Sequence, residues 1–120
     1  MERKLEKVEV SKLRPGPIQH SGFSDELLQL MRVVHDRIKD VYPISLEKWE
    51  LGFMRDRHPE RELAVWQLMS DATEAAAKQL PALGRKAIFK VVLGHSMGAL
   101  TTAQLADPDT MKIVEICKGI

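Results

Sequence analysis

The most regular pattern in the chain runs from Ser24 to Val41, where Leu27, Met31, Val34, Ile38 and Val41 alternate steps of four and three. That spacing keeps apolar side chains on one stripe of a 3.6-residue turn and predicts an amphipathic helix. Ser24 supplies its N-cap, Asp25 and Glu26 place negative charge at the positive end of the helix dipole, and Pro43 closes the segment. A shorter helix follows from Ser45, with Leu46, Trp49 and Phe53 at helical spacing and Gly52 as its weak point. The strongest helix opens at Pro59, where a missing N–H costs nothing, carries Glu60 and Glu62 in its first turn, and ends at Pro81. Leu63, Trp66, Met69 or Ser70, Thr73, Ala77 and Leu80 track one of its faces. A final helix starts at Pro108 under an Asp107 cap, with Met111, Val114 and Cys117 along one face and Gly119 past its end.

Residues 1–23 break with this pattern. Pro15, Gly16 and Pro17 forbid regular helix, and the alternating run Lys7, Val8, Glu9, Val10 suits a short edge strand, so this part reads as an extended arm over the core. Residues 24–120 read as the helical domain. The fold expected is therefore all-α, a small irregular bundle of four or five helices with an extended N-terminal arm. Its core is expected to include Leu27, Met31, Val34, Ile38, Leu63, Trp66, Met69, Leu80, Val91 and Val114.

Residues 85–106 carry the one ambiguity. As a helix, Ile88, Val91, Val92 and His95 share a face; as a strand, Ala87 to Leu93 is an apolar run rich in β-branched and aromatic residues. The run leads into Gly94-His95-Ser96-Met97-Gly98, a G-x-S-x-G pattern. With the apolar run before it and Leu100 to Ala106 after it, the segment resembles the nucleophile elbow of the α/β-hydrolase family. The resemblance implies a serine hydrolase in which Ser96 is the nucleophile at a sharp strand-to-helix turn. That chemistry needs an imidazole base, and the family places both its acid and its histidine after the serine. No histidine follows His95, and the carboxylates Asp107, Asp109 and Glu115 sit at a helix start or inside a helix. Residues 24–80 read as helix throughout, which leaves no strands for a hydrolase sheet. The preferred reading is that Gly94 and Gly98 mark a bend or a close helix approach, with Ser96 and His95 in ordinary hydrogen bonds.

Composition narrows the partners. Eighteen Lys and Arg against 17 Asp and Glu leave a net charge of +1 over 120 residues, so no global field would hold the chain on nucleic acid or an acidic membrane. A chain of this length can bury one core without metal or disulfide staples, and no cofactor is expected. Cys117 is the only cysteine and its apolar neighbours suggest a buried thiol; with no apolar stretch resembling a signal peptide or a span, a soluble cytoplasmic protein is expected. His20, His35, His58 and His95 show no metal-ligand spacing, so no metal is expected. The densest polar stretch, Arg55 to Glu62, lies between Trp49 and Phe53 on one side and Trp66 on the other. Mixed charge of this kind suits a solvated corner, while Arg and Trp together also suit a recognition surface. Trp49, Phe53, Arg55, Arg57, Arg61 and Trp66 are its candidate residues, and Trp49, Phe53 and Trp66 are candidates for a homodimer face. The function expected is a non-enzymatic interaction or regulatory module. The serine hydrolase using Ser96 and a small-ligand binder with a pocket between helices are the alternatives.

Overall fold

In the computed structural model, which describes residues 23–120, Ser24 caps the first helix as its position implies. Its Oγ accepts from the Leu27 N–H at 3.1 Å, and α1 runs Asp25–Ile38. Ser45 does the same for α2 (Leu46–Met54), accepting from the Lys48 N–H at 3.2 Å. The central helix α3 (Pro59–Gln79) starts on its N1 proline, and the Asp56 carboxylate, rather than the His58 side chain, accepts a bond in the turn before it, from the His58 N–H. α4 (Arg85–Ser96), the single-turn α5 (Thr102–Leu105) and α6 (Pro108–Lys118) complete six helices among the described residues, and no strand is found there. The all-α bundle is thus observed, with residues 85–93 helical. The expected arm lies outside the described residues apart from Phe23, which packs against the core.

α3 is the hub and touches α1, α2, α4 and α6. Its central position explains why apolar residues occur on more than one of its faces. Met31, Val34 and Ile38 of α1, Trp49 and Phe53 of α2, Leu63 and Met69 of α3, Ile88, Phe89 and Val92 of α4 and Ile113 of α6 form one buried cluster. Val114 is buried too, whereas Leu27, Trp66, Leu80 and Val91 are partly covered and pack against the cluster's edge. On α4 the inward face is Ile88, Phe89 and Val92, not the stripe ending in Val91 and His95. Phe89 is buried there and lies nearly parallel to Trp66, at 6.5 Å between centroids and 16° between planes. α1 ends at Ile38, three residues short of Val41, but the Val41 and Tyr42 N–H groups both donate to the Ile38 carbonyl, and Val41 stays buried.

One guanidinium joins three helices. Arg85, the first residue of α4, donates from Nε to Asp40 Oδ2 at 2.9 Å, from Nη2 to the Arg37 carbonyl at 2.9 Å, and from Nη1 to Glu74 of α3. Its hydrogen bond holds the Asp40 carboxyl below the ordinary value of 3.8. A depressed carboxylate stabilises the fold above its unfolded pKa and loses that contribution as pH falls through the folded value. Asp40 is more than half exposed, so the contribution is a fraction of a kcal/mol. Arg85→Met should therefore melt below the native chain at neutral pH, and the gap should narrow below about pH 4. A gap that stays constant down to about pH 2 would count against this role for Asp40.

Candidate functional site

The G-x-S-x-G segment is the end of a helix. Gly98 adopts φ 67°, its N–H donates to the His95 carbonyl at 3.1 Å, and the Ala99 N–H reaches back to the Gly94 carbonyl at 2.8 Å. Those two bonds make a Schellman cap with Gly98 in the left-handed C′ position. Gly94 allows a different contact: a Cβ there would lie 2.9 Å from Leu100 Cδ2, so the chain after the cap folds back over it. The sharp strand-to-helix turn that the hydrolase resemblance implies is not formed, because residues 85–96 are helix. Ser96 is exposed in the last turn and His95 beside it is half-buried. Gly98→Ala should cost about 1 kcal/mol, since only the left-handed backbone is strained, and Gly98→Asn should cost less. Equal stability of all three proteins by denaturant titration would contradict the cap.

The six residues expected at a recognition surface separate into two groups. Trp49 and Phe53 are buried, and Trp66 is half-buried between them and α4. Trp49 meets Trp66 edge-on at 5.1 Å and Phe53 at 4.9 Å, while its Nε1 donates to the Met31 carbonyl at 2.7 Å. These rings hold α2 to α1 and α3; Trp49 and Phe53 lie in the interior, and Trp66 keeps a partly exposed edge. Arg55, Arg57 and Arg61 are exposed, and none of them makes an ion pair among the described residues. The remaining described arginines are all engaged: Arg32 with Glu50, Arg37 with Asp71 and Arg85 with Asp40 and Glu74.

An apolar groove that no sequence pattern announced lies between α3, α4 and α6. Met69, Ala72 and Val92 form its buried floor, Val65 and Leu68 rise from α3, and Ser96, Cys117 and Ile120 close it from the ends of α4 and α6. Its volume is about 250 Å³ and it opens to solvent. Helix lengths account for it. α3 has 21 residues against 12 in α4 and 11 in α6, so it is longer than its two neighbours by more than about 10 Å. Val65 and Leu68 stand where both neighbours stop, and Leu68 remains 52% exposed and Ile120 50% exposed. Cys117 is half-buried at this groove, less enclosed than its apolar neighbours in sequence suggest, and burial raises its thiol pKa.

His35 is held within the fold. His35 Nε2 sits 2.6 Å from the Ile44 carbonyl and its ring tilts against Trp49, which ties α1 to the turn before α2. Among the described residues no three His, Cys, Asp or Glu side chains are placed to hold a metal ion, and no helix is long and apolar enough to cross a membrane. The chain matches no family model, no curated protein and no solved structure.

Proposed function

We propose that this chain is a non-enzymatic interaction module that docks an apolar element of a partner protein in the groove between α3, α4 and α6. The observation that carries this reading is the exposure of Val65, Leu68 and Ile120 over a buried apolar floor, at a place where two short helices end beside a long one. Covering the exposed half of one such side chain yields about 1 kcal/mol, so several together supply useful affinity. Its polar lining, Ser96 and Cys117, is sparse, which favours burial of apolar surface over recognition of a polar small molecule. A net charge of +1 favours a protein over nucleic acid as partner. The single free thiol suits a reducing compartment such as the cytoplasm.

An apolar fluorescent dye of the anilinonaphthalene type should bind the folded chain at one saturable site. Leu68→Glu should remove that binding with little change in melting midpoint, because the side chain is already half in solvent. A folded protein that binds no dye, or binds it unchanged after Leu68→Glu, overturns the reading. The serine hydrolase alternative has its own test: a fluorophosphonate probe should leave the folded chain unlabelled, and stoichiometric labelling lost in Ser96→Ala would reinstate it.

A further inference from the structure

We infer that the groove's occupant is an amphipathic segment of another protein whose apolar face is followed, one helical turn on, by carboxylates. The inference rests on the groove being the docking site. Arg61, Val65, Leu68 and Ala72 follow one another in steps of four, three and four along α3, which keeps them within about 60° of each other around the helix. Val65, Leu68 and Ala72 line the groove, so Arg61 lies on the same stripe one turn nearer the start of α3. It is exposed, as are Arg55 and Arg57 in the corner that leads into α3.

These are the three described arginines without an ion pair, and they lie in and just before the first turn of α3. Asp56, Glu60 and Glu62 lie close by in sequence, so the corner has little net charge and exerts little pull at long range. Glu60 and Glu62 are each turned about 100° from Arg61, one to either side, which leaves the guanidinium along the stripe. Selection therefore acts at contact. A guanidinium presents a planar fork of donors that a carboxylate meets with two parallel hydrogen bonds, and an amide or ammonium cannot reproduce that match. A helix that lays successive apolar side chains over Leu68 and then Val65 brings its next turn to Arg61.

The test uses the full chain and three synthetic helical peptides that share one apolar face and carry Glu, Gln or Lys one turn beyond it. By fluorescence anisotropy the Glu peptide should bind about fivefold tighter than the Gln peptide, and the Lys peptide weakest. Arg61→Glu should reverse the order of the Glu and Lys peptides, and Leu68→Glu should abolish binding of all three. Circular dichroism checks the fold, and Arg61→Gln, which should erase the preference without reversing it, serves if Arg61→Glu fails to fold. Equal affinity for the three peptides overturns the carboxylate preference and leaves the groove reading standing. Failure of all three to bind overturns both. A free chain that sediments as a dimer, and as a monomer after Leu68→Glu, overturns the inference in favour of a second copy in the groove.

Discussion

Leu63→Ala and Ile38→Ala are each expected to destabilise the fold by about 2 to 5 kcal/mol in denaturant titrations. Each side chain is 1% exposed and sits in the cluster that α3 shares with its neighbours, so truncation removes the apolar contacts and leaves a cavity that rigid helices refill only in part. The partly covered Leu80 and Val91, which also lie on helical stripes, provide the contrast. Their truncation to alanine should cost distinctly less, because solvent already reaches them. A loss below about half a kcal/mol at both Leu63 and Ile38 would mean that the core is assembled differently.

The second large effect concerns the buried carboxylate of Glu50, which is 1% exposed and receives the Arg32 Nε–H at 2.7 Å. Arg32→Met keeps the apolar stem and removes the cation, leaving the carboxylate without that charge-assisted bond in a site that water scarcely reaches. The expected cost is about 1 to 3 kcal/mol, below the range for a fully buried pair because Arg32 itself is nearly half exposed. Glu50→Gln combined with Arg32→Met should cost less than the sum of the two single substitutions, because both remove the same charge-assisted bond. If Glu50→Gln costs the same in both backgrounds, the two residues are not coupled.

The chemistry of the site was far less legible in the sequence than the helices were. The bare Gly94-to-Gly98 pattern fits an elbow as well as a helix end, because both need a glycine where the chain reverses, and it is the missing histidine and strands around it that favour a bend. Phe89 and Ile88 settle it by facing α3 and its neighbours from a continuous helix. Trp49 and Phe53 show two local signals pulling apart. Their position beside an arginine-rich stretch suggests a recognition surface, yet their own stripe on α2 already turns them inward.

What the sequence by itself determined was local: the caps at Ser24, Ser45 and Asp107, the proline starts of α3 and α6, and the stripes that name Met31, Val34, Ile38, Leu63 and Met69 as core. Capping bonds and helical spacing act over three or four residues, so they can be read without knowing what packs against them. Only the tertiary structure decided that Arg85 gathers Asp40 and Glu74, that Arg32 meets Glu50, and that Val65, Leu68, Cys117 and Ile120 share an open groove. Those outcomes depend on where each helix ends against its neighbours. α3 outruns α4 and α6, and whether the side chains along its excess length are core or surface follows from that mismatch, which no helix records in its own sequence.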